Sequence, residues 1–240
     1  MKREERNQRT RDLILKSAVH EFATHGYEAA SMNVICEVSH VSKGNMYHYF
    51  ASKEELYLTC LQTCFTGLTE EIKRSVPVNS TSSVAVSAEK INRSVPVNAA
   101  VSAEEINRSI PIENTTPAAD LLQRYFDARM HFFREHPDLA QLFCRCTAVP
   151  EPSMEDRIRE VRAEFDQVNR EVISAILRQK PIRKDLSFAQ TAQLFTTLQT
   201  MWNAAAPAGF PPEQMEKKEE TCRLLIDVFF YGILERNETH

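Results

Sequence analysis

The sequence predicts an all-α protein, on three observations. Five glycines in 240 residues leave few positions for the tight turns that hairpins need. Apolar residues recur at spacings of three and four along most of the chain. No stretch alternates apolar and polar residues between turn signals, as a half-buried strand does.

The elements follow in order. Ile14, Ala18 and Phe22, four apart, share one face of a helix over 10–25, with Leu15 and Val19 beside them, and Gly26 is its natural stop. Ser31 caps a short helix over 32–38, with Val34, Ile35 and Val38 expected to turn inward. The turn Ser39-His40-Val41 leads to Ser42, the cap of a third short helix over 43–49. Ser52 and Glu55 have capping-box spacing and begin a longer helix carrying Leu56, Leu58, Leu61, Phe65, Leu68 and Ile72. Helices are then expected over 117–135, from Pro137 to near Thr147, and over 153–179, where Pro181 ends the third. Two more are expected over 186–206 and 212–235.

Residues 74–116 differ. The run Arg-Ser-Val-Pro-Val-Asn at 74–79 returns at 93–98, and a weaker copy starts at Arg108. This suggests a tandem duplication. Two units and a fragment are too few for a solenoid, so 76–116 is read as an exposed insertion, partly disordered. A partner-binding arm is the other reading.

Composition limits the function classes. No apolar run approaches the roughly 18 residues of a membrane helix, and no signal peptide is expected at the N-terminus. Six cysteines then read as reduced cytosolic thiols, and a cytoplasmic location is expected. There is no glycine-rich phosphate loop, His-Glu-x-x-His or Gly-x-Ser-x-Gly, so no enzyme is expected. Cys144-x-Cys146, with His131 and His136 near it in sequence, lacks the second pair of a structural zinc site. No metal and no cofactor are expected. Charge alone points nowhere: residues 1–55 carry eight basic and eight acidic side chains.

The pattern of short helix, short turn and second short helix is the DNA-reading helix-turn-helix plan. Its second helix enters the major groove and meets base edges with its N-terminal residues. Residues 42–49 suit that role. Ser42 and the helix start can hold a phosphate, Lys43, Asn45 and His48 are polar and oppose Met46, and Tyr47 and Tyr49 carry hydroxyls that reach phosphates. Lys53 can clamp the backbone from the next helix.

Residues 10–60 resemble the N-terminal domain of the TetR family of regulators. The likeness rests on Ile14-Leu15, Ala18, Phe22, Gly26-Tyr27, Ile35, Val41-Ser42-Lys43-Gly44, Tyr47-His48-Tyr49-Phe50 and Ser52-Lys53-Glu54-Glu55-Leu56. It implies DNA contacts at Ser31, Ser42, Lys43, Gly44, Asn45, Tyr47, His48, Tyr49 and Lys53, with the recognition helix closest to the DNA backbone at Gly44. Against the family pattern, His40 stands in place of a turn glycine, and Cys36 and Ser39 in place of alanines.

The resemblance also implies an organisation: an N-terminal three-helix helix-turn-helix DNA-binding domain over 1–55, a connecting helix over 56–75, and a C-terminal helical effector-binding and dimerisation domain over 117–240. The implied partners are a palindromic double-stranded operator, a second copy of the chain and a small-molecule effector, but no membrane. The implied action is repression relieved by that effector. Leu194, Leu198, Leu224, Leu225, Val228, Phe229 and Ile233 are candidate seam residues of the homodimer. Phe126, Met130, Phe133, Phe143, Phe165, Phe195, Met201 and Trp202 are candidate effector contacts. The competing reading is a helical scaffold that has lost specific DNA binding.

Overall fold

The computed structural model describes residues 3–77, 117–148, 151–179, 183–187, 190–191, 193–195, 197–198, 220–221, 224, 228–229 and 232. The duplicated units beyond Pro77, Met201, Trp202, Leu225 and Ile233 lie outside the described residues. All regular structure among the described residues is helical. It comprises α1 (Arg3–Ala29), α2 (Met32–Val38), α3 (Lys43–Tyr49), α4 (Lys53–Ser75), α5 (Ala118–Glu135), α6 (Pro137–Ala148), a 3₁₀ turn at Pro152–Met154 and α7 (Glu155–Arg178). Helical residues follow within 190–198 and 220–232.

α1 starts about two turns before the apolar periodicity begins. Residues 3–9 are polar all round, so no buried stripe marks them as helical. Glu4 and Glu5 in the first turn suit the helix dipole, and Gln8 donates to Asp12 at 2.7 Å. Gly26 does not end the helix. It kinks it at φ 77°, and the chain resumes helical form to Ala29.

The predicted face of α1 is the core: Ile14, Ala18 and Phe22 are wholly buried. In α2 the expectation fails for two residues. Ile35 and Cys36 are buried, whereas Val34 and Val38 are 41% and 59% exposed. At 100° per residue a seven-residue helix offers one narrow inward face, and Ile35, Cys36 and the C-cap Ser39 occupy it. Val34 and Val38, four apart, share the neighbouring outward strip.

α4 joins the two halves of the chain. Its first turns pack on α1, and its remainder lies against α5 and α7. The buried residues of the helix-turn-helix and of this bundle form one continuous core from Ile14 to Ile176. Phe143 of α6 sits in an aromatic cluster with Phe65, Phe133 and Phe165, ring centroids 5.2–5.7 Å apart.

α4 and α5 approach closely at Gly67. A Cβ there would lie 2.8 Å from Cε2 of the buried Phe132. Alanine gains about 1 kcal/mol in helix propensity, but overpacking costs about 1–3 kcal/mol. Gly67→Ala is therefore expected to destabilise by about 1 kcal/mol. A urea midpoint at or above that of the unsubstituted chain would show that Phe132 yields freely.

After α7 the next helix begins later than the predicted 186. Residues 184–186 form a turn, and Ser187 is the cap. Its Oγ accepts the Gln190 N–H at 3.2 Å, while Gln190 Oε1 accepts the Ser187 N–H at 2.8 Å. This reciprocal capping box was legible as Ser-x-x-Gln.

Candidate nucleic-acid interface

The α2–α3 unit is held from both sides. Ser31 Oγ accepts the Val34 N–H at the start of α2, and the Ser31 N–H donates to Glu21 Oε1 at 2.8 Å. Glu21 is 6% exposed and lies 3.3 Å from His25 Nδ1, so a buried carboxylate of α1 fixes where α2 begins. Sequence reading missed this residue. Its signal was an acidic side chain beside Phe22, three residues after Ala18, on the buried stripe.

The turn between the helices is a Schellman motif. His40 N–H donates to the Glu37 carbonyl at 3.1 Å, and Val41 N–H to the Cys36 carbonyl at 3.0 Å. His40 has φ 54°, the left-handed region where glycine is favoured. Removing the Cβ from that position outweighs the added freedom of an unfolded glycine. His40→Gly is expected to raise stability by about 0.5–1 kcal/mol, measured as the denaturant midpoint. A lowered midpoint would show that the imidazole holds the turn. Ser39, standing in place of alanine, is buried, and its hydroxyl is satisfied by the Ile35 carbonyl at 2.6 Å.

Ser42 caps α3, its Oγ accepting the Asn45 N–H at 3.3 Å. Met46 is wholly buried and pins one side of the helix to the core. Lys43, Gly44, Asn45, Tyr47 and His48 are exposed, as is Ser42. Tyr47 is 44% exposed, whereas Phe50 is core outright. A Cβ on Gly44 would meet nothing within 4 Å, so neither packing nor backbone conformation requires glycine there.

Two other candidates are engaged within the protein. Tyr49 is partly buried, and its hydroxyl donates to Asn7 Oδ1 at 3.3 Å. Lys53 Nζ donates to the Glu28 carbonyl at 3.0 Å and lies 4.9 Å from the Tyr27 ring centroid. It ties the start of α4 to the end of α1. Arg11 also packs inward, 4.5 Å over the ring of Phe50. Ser52 Oγ accepts the Glu55 N–H at 3.0 Å, and Glu55 reaches back to the Ala51 N–H at 2.7 Å.

The distal half of the chain grips this unit through α6. Arg145 Nε donates to the Ala23 carbonyl and Nη2 to the Thr24 carbonyl at 2.7 Å, where the Gly26 kink leaves α1 carbonyls without helical partners. His20 of α1 and Asp138 of α6 lie 3.1 Å apart.

Of the candidate effector contacts, Phe133, Phe143 and Phe165 belong to the aromatic cluster, Met130 is buried and Phe126 is partly buried. Phe195 packs separately with Ile173, Leu177 and Phe229. The Cys146 thiol is pushed up to about 11, chiefly by burial, and stays protonated at neutral pH. His131 and His136 are exposed, and no metal-ligating group of three arises among the described residues. No helix among them is long and apolar enough to cross a membrane.

Comparison with known proteins agrees with this geometry. Residues 14–60 match the family described as bacterial regulatory proteins, tetR family. An uncharacterized HTH-type transcriptional regulator of Bacillus subtilis, YhgD, is 37% identical over 62 residues, 26% of this chain and 30% of its own. The Escherichia coli regulator UidR is 45% identical over 49 residues, 20% of this chain and 25% of its own. The match thus spans about a quarter to a third of these relatives. Solved structures align over nearly the whole chain. A TetR family regulator from Shewanella sp. PV-4 superimposes with a TM-score of 0.59 at 14% identity, covering 95% of this chain and 99% of that one. FadR from Bacillus subtilis, solved with stearoyl-CoA, gives 0.58 at 13% identity over 91% and 96%. Residues 14–60, which include α2 and α3, thus match the TetR family of bacterial regulatory proteins, and the helical fold behind them is one that solved regulators of that family share.

Proposed function

We propose that this protein is a sequence-specific DNA-binding transcriptional regulator, a repressor released by a small-molecule effector, and not an enzyme. One observation carries the reading. α3 buries Met46 and turns Lys43, Gly44, Asn45, Tyr47 and His48 to solvent behind a formed cap and turn. That is the presentation base-edge readout needs. Asn45 matches the amide geometry that reads adenine. Lys43, Ser42, Ser31, Tyr47 and His48 hold the phosphates, and Gly44 lets the helix lie close. Lys53 and Tyr49 reach DNA only by leaving their contacts with Glu28 and Asn7.

The effector and dimer functions fall to residues 117–240. Leu194, Leu224 and Val228 are 46%, 59% and 68% exposed, an apolar set suited to a seam between two copies. A twofold dimer then reads two half-sites of a palindrome.

Selection of duplexes from a random pool tests the reading. The protein is expected to enrich a palindromic site, and Asn45→Ala to relax one base position at a cost of about 1–3 kcal/mol. Gly44→Ala is expected to fold normally, since its Cβ meets nothing, yet to bind more weakly. No enrichment by the unsubstituted chain, or full binding by both variants, would sink the assignment of α3.

A further inference from the structure

Among the described residues the bundle buries one cation, Arg129 of α5, which is 5% exposed. Its guanidinium carbon lies 5.4 Å from the Tyr125 ring centroid and 5.5 Å from that of Phe143. Nη1 donates to the Tyr125 hydroxyl at 2.7 Å, and that hydroxyl in turn donates to Asn169 Oδ1 on α7. Side chains of α5 and α6 therefore meet at this guanidinium, and α7 is linked to it through the Tyr125 hydroxyl. None of these contacting side chains, among the described residues, is negative.

Five less buried arginines differ from it. Arg74, Arg157, Arg159, Arg162 and Arg183 each sit against a carboxylate. Arg129 has none within ion-pair distance among the described residues, though it is far more buried than they are. A guanidinium stays charged at any physiological pH and carries five donors. A neutral phenol oxygen uses one of them. Burying such a charge without a counter-charge is strongly destabilising, unless an anion completes the arrangement. The fork matches the oxygens of a carboxylate or a phosphate, and the rings of Phe65, Phe133 and Phe165 behind Phe143 suit an apolar body.

We propose that Arg129 is the anion-recognising residue of a ligand site in the α5–α6–α7 interior, taking a small molecule with one oxyanion group on an apolar body. Tyr125 and Asn169 position the guanidinium. The regulatory meaning of the site rests on the DNA-binding reading above; the binding itself does not.

The test is thermal unfolding of the full chain without DNA, in the presence of octanoate, octyl phosphate or the neutral octanol. At several times the Kd, an anionic probe is expected to raise the unfolding midpoint by roughly 2–4 °C. A shift with octanoate assigns a carboxylate, a shift with octyl phosphate a phosphate ester, and octanol is expected to give none. Arg129→Met is expected to unfold no earlier than the unsubstituted chain, having lost an unmatched charge, and to lose the probe's effect. The proposal is overturned if neither anion shifts the midpoint, if octanol shifts it equally, or if Arg129→Met keeps the shift. It is also overturned if both Arg129→Met and Arg129→Gln fail to fold, since the cation is then structural. A failed DNA-binding experiment leaves these outcomes untouched, so the two readings fail separately.

Discussion

Arg145→Ala is expected to lower unfolding stability by about 2–3 kcal/mol and to loosen the end of α1 before any other element. Two charge-assisted hydrogen bonds to the Ala23 and Thr24 carbonyls are lost. Each such bond contributes about 1.5–3 kcal/mol, and the half-exposed guanidinium lowers that sum through solvent screening. Water reaches Thr24, which is exposed, more readily than the buried Ala23. Native-state hydrogen exchange around Gly26 is the measurement. Arg145→Lys is expected to recover only part of the loss, because one ammonium lacks the planar fork. Unchanged exchange there in Arg145→Ala would mean that α6 does not hold α1. The point matters for the proposed regulation, since among the described residues α1 and α4 both join the bundle to the α2–α3 unit.

Phe143→Ala is expected to cost about 3–5 kcal/mol. The ring is 1% exposed and touches the three other phenylalanines of the cluster, one each from α4, α5 and α7. The cost combines the lost burial of the ring with the cavity its removal leaves. Phe143→Leu, which keeps most of the volume, is expected to cost well under half as much. A loss below about 1 kcal/mol for the alanine variant would show that the cluster does not depend on this ring.

These two residues also show what sequence reading could reach. The faces of α1 and α4 followed from spacing alone, because one buried stripe of Ile14, Ala18 and Phe22 or of Leu61, Phe65 and Leu68 has one helical solution. The caps at Ser31, Ser42 and Ser52 were legible because capping is local. The roles of Arg145, Glu21 and Arg129 were not, since their partners come from other elements. Arg145 contacts residues more than a hundred positions away. Val34 and Val38 misled because apolar character does not reveal which side of a two-turn helix is covered. The motif suggested Lys53 as a DNA contact, while its contacts with Glu28 and Tyr27 appear only in the fold.

The central claim is that the exposed face of α3 reads DNA. Its most direct test is a quantitative gel shift of the purified full chain against the DNA upstream of its own coding region, with excess non-specific competitor. The account predicts a discrete complex that survives competitor at low salt and weakens steeply as salt rises, as expected of a protein that displaces counterions from phosphates. No competitor-resistant complex at low salt would contradict it, and would favour a helical scaffold that kept the fold without the reading function.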